Sequence, residues 1–265
     1  MVTFREFMTA LRKLDIERNR PVIVHSSLSA FGQVQGGADT VLGALLGSFN
    51  TVVVPTFTYK TMIIPEAGPA ENACAYGSGK DSNRLAEFFQ PDMPADRLMG
   101  IIPETLRKRP NARRSSHPIL SFAGINADAI LEAQTLEEPL APVNAMKSDR
   151  GWALLMGVDH TVNTSIHYAE RLAGRKQFVR WALTTKGIVE CPGFPGDSSG
   201  FQAVTTRLGD VTRQVQVGLA AIIAVPLLDM VDIVCQWIAS DPLALLCSRP
   251  DCERCTAVRQ GEAIL

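Results

Sequence analysis

The chain has 265 residues, of which 46% are apolar and 20% are charged, and its 26 basic residues nearly balance 27 acidic ones for a net charge of −1. This apolar content is that of a packed globular protein and excludes a disordered chain. The balanced charge argues against nucleic-acid binding through bulk electrostatics.

The N-terminal part of the chain predicts a βαβ unit. Apolar residues recur at spacings of three and four over residues 3–17, which predicts an amphipathic helix opened by a Thr3–Glu6 capping box. The β-branched runs at 22–24 and 51–55 predict two buried strands, with an apolar-periodic helix between them. This order indicates a parallel or mixed sheet with helices on its faces.

The remaining elements extend this pattern. Residues 59–103 are long, irregular and rich in Gly, Pro, Asn and Asp, as is typical of functional or poorly ordered loops. Further along we predict helices at 100–108, 128–133 and 164–172, strands at 119–123 and 152–158, paired strands at 177–190, and alternating helix and strand signals over 206–234. The sequence therefore predicts an α/β fold with a mixed, largely parallel central sheet flanked by helices, and with a lobe-like insertion. We expect residues 1–265 to form a single domain.

Two of the four histidines directly follow predicted strands. His25 follows the strand at 22–24, and His160 follows the strand at 152–158. In open α/β sheets ligands bind beyond the carboxyl ends of the strands, so both are candidates for a binding site. For His25 and His160, and also for His117, the alternative to a binding role is a structural one, in which the imidazole is hydrogen-bonded within the protein.

His167 and Glu170 form the strongest catalytic candidate. They are three residues apart on the predicted helix at 164–172, so they share one helix face. A carboxylate beside an imidazole fixes its tautomer and favours its protonated form, which suits a general base. An ordinary surface pair is the alternative interpretation.

Two polar segments suit phosphate groups. In the segment His25-Ser26-Ser27, the small hydroxyl residues at the strand end would let backbone N–H groups approach an anionic or amide-rich ligand. The basic and hydroxyl residues at 113–116 could donate charge-assisted hydrogen bonds to phosphates, unless they form a solvated surface loop. Together they favour a nucleotide-bearing cofactor with a long arm. A Ser/His hydrolase centred on Ser26 or Ser27 stays open as an alternative.

Three of the six cysteines cluster near the C-terminus, as Cys247, Cys252 and Cys255. Their spacing suits zinc, with Cys191 or another side chain as a fourth ligand. Zinc ribbons pair two CxxC knuckles and this chain has one, so the sequence favours free thiols in a folded tail. We expect no metal in catalysis.

Five stretches of the chain, in this order, resemble the aminoglycoside 3-N-acetyltransferase family, the antibiotic N-acetyltransferases that are unrelated to the GNAT superfamily. They are HSSLSAFGQVQGGADTVLGAL (25–45), VVVPTFTYK (52–60), MGIIPETLRKRPNARRSSHPILSFAG (99–124), LEEPLAP (136–142) and LLMGVDHTVNTSIHYAE (154–170). The resemblance covers roughly residues 20 to 175.

The resemblance implies an antibiotic N-acetyltransferase-like fold. It also implies transfer of an acetyl group from acetyl-CoA to the 3-amino group of a 2-deoxystreptamine aminoglycoside, which gives antibiotic resistance. By position it assigns His167 and Glu170 to catalysis, His25, Ser26, Ser27, Leu28, Arg114, Ser115 and Ser116 to acetyl-CoA, and Asp159, His160 and Asn163 to the acceptor.

These roles lead to a mechanism of direct transfer in a ternary complex, with His167 as a general base oriented by Glu170. A polycationic acceptor calls for an acidic pocket, which carboxylates in predicted loops could supply: Glu66, Glu71, Asp81, Glu104, Asp159 and Asp197. The alternatives are an acetyltransferase of this family acting on a different amine, a CoA-binding protein without turnover, and the Ser/His hydrolase.

The sequence also sets expectations for location and partners. The longest apolar candidate, residues 215–234, is broken by Pro226 and Asp229 and so is a poor membrane span. The N-terminus has no unbroken apolar segment of the secretory kind. We therefore expect a cytoplasmic monomer or homodimer with no membrane or nucleic-acid partner.

Overall fold

The computed structural model describes residues 1–262. Its strands are β1 (Val22–Ser26), β2 (Val52–Pro55), β3 (Met62–Ile63), β4 (Ala112–Arg114), β5 (Phe122–Ile125), β6 (Trp152–Met156), β7 (Phe178–Thr184), β8 (Gly187–Phe194), β9 (Arg213–Val217) and β10 (Ala220–Pro226). Its α-helices are α1 (Phe4–Lys13), α2 (Gly37–Ser48), α3 (Ile101–Arg107), α4 (Asp128–Glu132), α5 (Ala141–Ser148), α6 (Thr164–Leu172), α7 (Thr205–Leu208), α8 (Leu227–Ser240) and α9 (Glu253–Glu262). Within the described residues, no helix is both long and apolar enough to cross a membrane.

The main sheet has seven strands in the order β4-β5-β2-β1-β6-β10-β9. The predicted mixed α/β fold is confirmed, but the expectation of a largely parallel sheet needs correction. Only β2, β1 and β6 pair in parallel, and the strands outside them pair antiparallel. At the β9 edge of the sheet, the antiparallel pairing follows from the short connection between strands. Only two residues join β9 to β10, and so short a connection permits only antiparallel pairing.

Helices cover both faces of the main sheet, because successive side chains on a strand point to opposite faces. Val22 and Val24 pack with α1, α2 and α3, whereas Ile23 packs with α4, α5, α6 and α8. All three side chains are fully buried, and burying a valine or isoleucine contributes about 1.5–3 kcal/mol. The predicted N-terminal helix is confirmed as α1, with both hydrogen bonds of the Thr3–Glu6 capping box present.

A second, three-stranded sheet has the order β3-β7-β8 and corresponds to the predicted insertion. The paired strands predicted at 177–190 are confirmed as β7 and β8. Strand β3 lies in the long irregular segment and pairs with β7, so Met62 lies opposite Ala182. The segment that follows β2 is thereby held against the small sheet.

Several elements escape the sequence prediction, among them β3, β4, α5 and α9, and one strand begins later than predicted. The run at 119–123 predicts a strand, but β5 begins at Phe122. The backbone N–H groups of Ile119 and Leu120 instead donate hydrogen bonds to Nδ1 of His117, at 3.1 and 3.0 Å. At the start of this apolar run, Nδ1 of His117 thus takes the place of the backbone acceptors that a neighbouring strand would provide.

Candidate active site

A cavity of about 330 Å³ lies where the central strands of the main sheet meet the small sheet. Its walls come from the carboxyl ends of β1 and β2, the loop after β6, the start of α6 and the segment after β8. The polar and charged side chains among its lining residues include His25, Ser26, Tyr59, Thr161, Asn163, Thr164, His167, Asp197, Ser198 and Arg254. This edge of an α/β sheet is the one where ligands bind.

The imidazole of His167 reaches this cavity from the first turns of α6. Its Nδ1 lies 2.7 Å from Oε2 of Glu170, and the Glu170 side chain is only 2% exposed. The ring packs edge-on against Phe201, at 4.6 Å between ring centroids. The spacing of three residues thus gives a buried, oriented pair, and because Nδ1 is occupied by the carboxylate, Nε2 is the nitrogen available to a ligand.

Arg175 completes this arrangement. Its Nη1 lies 2.6 Å from Oε1 of Glu170, so both carboxylate oxygens are bonded. Its Nη2 donates to the backbone carbonyls of Pro242 and Ala244, each at 2.8 Å. The guanidinium therefore fixes Glu170, and Glu170 in turn fixes the imidazole of His167.

The turn after α6 brings Arg175 back over the helix. Gly174 has φ +81°, a conformation that strains other residues. The N–H of Arg175 donates to the carbonyl of Glu170, and the N–H of Gly174 donates to that of Arg171. This pair of bonds is a Schellman motif. Arg175 is not among the site residues predicted from the sequence, although a glycine directly after a predicted helix end signals such a turn.

His25 and His160 lie close together, as expected for residues that end adjacent parallel strands. Both are buried, but only His25 lines the cavity. Burial, with a smaller effect from the charge of His160, lowers the pKa of His25 to about 3. Burial also lowers the pKa of His160, against an opposing effect of Asp159. Because Nε2 of His25 is buried and has no hydrogen-bond partner among residues 1–262, the neutral ring has a nitrogen free for a ligand.

The loop after β6 holds the acceptor-side candidates in different ways. Asn163 lines the cavity, caps α6 by accepting from the N–H of Ser165, and lies 3.3 Å from Nδ1 of His160. Asp159 is exposed and does not line the cavity. Its carboxylate accepts from the N–H of Thr161 at 2.9 Å and so caps the turn that positions His160.

The candidates at the end of β1 are only partly brought to the cavity. Ser26 lines it, and its buried hydroxyl has no hydrogen-bond partner in the part of the chain that the structure describes. Ser27 does not line it, and its hydroxyl pairs with that of Ser29 at 3.2 Å. Leu28 begins the short helix that follows. Neither Ser26 nor Ser27 is hydrogen-bonded to a histidine in the described chain, so the nucleophile–base pair of a hydrolase is not formed.

Arg114, Ser115 and Ser116 are not among the residues that line the cavity. The guanidinium of Arg114 donates to the Ser121 hydroxyl and to three backbone carbonyls, those of Thr56, Pro91 and Met93. A guanidinium has five N–H donors, so four are used inside the protein. Ser115 is buried and bonded to the backbone of Phe122, and Ser116 is exposed.

The cavity is not acidic, contrary to expectation. Of the six candidate carboxylates only Asp197 lines it, and Asp197 pairs with Arg249 at 2.9 Å and Arg254 at 3.6 Å. Of the others, Glu104 and Glu71 form ion pairs elsewhere. Tyr59, which is not among the site residues predicted from the sequence, also lines the cavity, and burial raises its pKa to about 12.

The three C-terminal cysteines are buried beside Asp197, just outside the cavity. Cys247, Cys252 and Cys255 form a small cluster of their own, and none of them is among the lining residues. Cys191, the suggested fourth ligand, lies instead in the main core. Asp197 takes that place in the cluster.

Comparison with known proteins agrees with this architecture. A family model described as aminoglycoside 3-N-acetyltransferase matches residues 23–239. Aminoglycoside N(3)-acetyltransferase III from Salmonella is 28% identical over 232 residues, which cover 77% of this chain and 79% of the relative. The crystal structure of the YokD protein from Bacillus subtilis superposes with a TM-score of 0.79 at 25% identity, covering 91% of this chain and 94% of that one. A complex of AAC-IIIb with CoASH superposes with a TM-score of 0.72 at 20% identity, covering 90% and 96%. Because the family model matches most of the chain, this protein belongs to the aminoglycoside 3-N-acetyltransferase family.

Proposed function

We propose that this protein transfers an acetyl group from acetyl-CoA to the 3-amino group of 2-deoxystreptamine aminoglycosides, and so gives antibiotic resistance in the cytoplasm. The observation that carries the proposal is the chain of contacts from Arg175 through Glu170 to His167 at the cavity wall. We also propose a single domain, because residues of both sheets share one apolar cluster.

The first chemical step is deprotonation of the acceptor. An ammonium group has no lone pair, so the amine must lose a proton before or while it attacks the thioester carbonyl. Nε2 of His167 takes this proton, while Nδ1 donates to Glu170, which stabilises the imidazolium that forms. A positioned general base of this kind contributes on the order of 10² to 10⁴ in rate.

The second step is the transfer of the acetyl group and the release of CoA. The amine nitrogen forms a bond to the acetyl carbon, and the carbon–sulfur bond then breaks. The proton held by His167 passes to the leaving thiolate, and the nitrogen releases its second proton to solvent, so the products are an N-acetylated amine, the free thiol of CoA and one proton. No metal takes part. His25 and Ser26 have unpartnered polar atoms at the cavity, and we assign them to contacts with the thioester arm.

The experiment follows release of CoA thiol from acetyl-CoA, with and without a panel of aminoglycosides. We expect release that depends on the amine. His167→Ala should lower kcat by at least about 100-fold and leave the Kd for acetyl-CoA near wild type. His117→Asn, which removes an imidazole away from the cavity, is the matched control. Amine-independent release would instead indicate hydrolysis, and tight CoA binding without release would indicate a binding protein.

One observation favours a second candidate, a family member that acetylates a less cationic amine. The carboxylate of Asp197 is paired with two arginines, so it offers little attraction to a polycation. The same assay separates the candidates when the panel includes monoamines. Turnover of a monoamine with no turnover of any aminoglycoside would replace the first candidate with this one.

A further inference from the structure

The C-terminal cysteines and Asp197 converge on one point from distant parts of the chain. Asp197 lies in the segment after β8, Cys247 precedes α9, and Cys252 and Cys255 flank the start of α9. One sulfur from each cysteine and one carboxylate oxygen of Asp197 all lie within 4.8 Å of one another. All three cysteines are at least 92% buried, since their exposed fractions are 3%, 8% and 1%.

We propose that these four side chains form a structural zinc site. Zinc prefers four ligands in a tetrahedron, and Zn–S bonds of about 2.3 Å place the ligand atoms roughly 3.8 Å apart. The observed cluster needs only a small contraction to reach that geometry. Four protein ligands leave no open position for water or substrate, so the metal is structural and takes no part in acetyl transfer. Three thiolates favour zinc over magnesium or calcium.

The surroundings of the cluster fit a metal better than free thiols. Three thiolates and a carboxylate around zinc(II) carry a net charge of −2, and Arg249 and Arg254 both contact Asp197. The second oxygen of Asp197 accepts from the N–H of Ser199 at 2.9 Å. Such outer hydrogen bonds orient metal-binding carboxylates.

A free-thiol interpretation leaves more unexplained. The three cysteines form a small cluster separate from the two main cores, and Leu246 packs against it. Three cysteines also cannot all be paired in disulfides within one cluster. Free thiols do not explain why three buried sulfurs converge on one carboxylate oxygen, whereas a bound cation does.

The site would hold one wall of the cavity. Asp197 lines the cavity and Arg254 lies between two of the cysteines in sequence, also on the lining. A zinc ion would thus tie the segment after β8 to α9 at this wall. The metal proposal does not depend on the proposed reaction, because its test measures metal rather than turnover.

The test is the metal content of untagged full-length protein, measured by mass spectrometry for zinc, iron and copper. We expect one zinc per chain. Cobalt(II) substitution should give the sulfur-to-cobalt charge transfer and visible bands of tetrahedral thiolate coordination. In competition with a chelator, the Cys252→Ser variant should bind zinc at least about 10-fold more weakly than the wild type. Cys191→Ala, a buried cysteine outside the cluster, is the matched control and should keep its zinc.

Several outcomes would overturn the proposal. Wild-type protein without stoichiometric zinc, whether its thiols are free or two are oxidised to a disulfide, would refute the site. Iron in place of zinc would refute the metal assigned. An Asp197→Asn variant with wild-type zinc retention and an unchanged cobalt spectrum would refute Asp197 as the fourth ligand.

Discussion

The imidazole of His117 makes stability in mild acid a direct test of the structure. Its Nδ1 accepts two backbone hydrogen bonds at the start of an apolar run, and the residue is 3% exposed. A nitrogen that accepts cannot carry the proton, so the ring is neutral with its proton on Nε2. Burial lowers the pKa of His117 to about 4.

The size of the effect on stability follows from the difference between the pKa of His117 in the folded state and its pKa in the unfolded state. In the unfolded chain a histidine has a pKa of about 6.5. Because the folded pKa lies below this value, the unfolded chain binds more protons between pH 6.5 and pH 4, and stability falls as pH falls through this window. When the pH is lowered from 7 to 5, protonation linked to His117 should lower the free energy of unfolding by about 2 kcal/mol.

The assay is urea unfolding, followed by tryptophan fluorescence at pH 7 and at pH 5 at one ionic strength. The control is His117→Asn, because an asparagine side-chain oxygen can accept from the same N–H groups but does not titrate. The wild type should lose about 2 kcal/mol more than this variant over the interval. Equal losses in the two proteins would refute the assignment of His117 as a buried neutral acceptor.

Three further predictions concern the groups around the site. Arg175→Met should lower the free energy of unfolding by about 3–5 kcal/mol in urea titrations, because it removes the cation that pairs with the buried carboxylate of Glu170 and leaves His167 as its hydrogen-bond partner. A loss under 1 kcal/mol would contradict the buried ion pair. Arg114→Met should lower Tm, because the hydrogen bonds of this guanidinium are internal, while the KM for acetyl-CoA stays within about twofold of wild type. A large rise in KM at unchanged Tm would instead indicate that Arg114 binds the phosphates of acetyl-CoA. Gly174→Ala should cost about 1–2 kcal/mol in urea titrations through its positive φ alone, since an added Cβ meets nothing within 4 Å, and no loss would contradict the turn.

The sequence predicts those features of the site that depend on neighbouring residues. The apolar runs before His25 and His160 predict β1 and β6, and strand ends in an α/β sheet indicate the edge where the cavity lies. The spacing of His167 and Glu170 predicts their shared helix face, and the structure adds that the pair is buried. Each of these inferences needs only a few adjacent residues.

Features that depend on distant partners could not be predicted. The basic and hydroxyl residues at 113–116 resemble a phosphate-binding group, yet the partners of Arg114 lie at Thr56, Pro91, Met93 and Ser121. No local pattern indicates that those carbonyls face one guanidinium. The same holds for strand pairing, because the antiparallel edges of the main sheet follow from which strands meet and not from their composition.

Arg175 lies between these two cases, and it shows how a local signal can carry long-range information. Its backbone position follows from Gly174, because a Schellman turn always returns the next residue to the last turn of its helix. Here that turn contains Glu170, so the glycine places a cation beside the carboxylate that orients His167. The Nη2 atom of Arg175 donates to two carbonyls after α8, which the sequence does not predict. The orientation of the proposed base therefore depends on the turn that ends its own helix as well as on the segment that leads to the C-terminal cysteines.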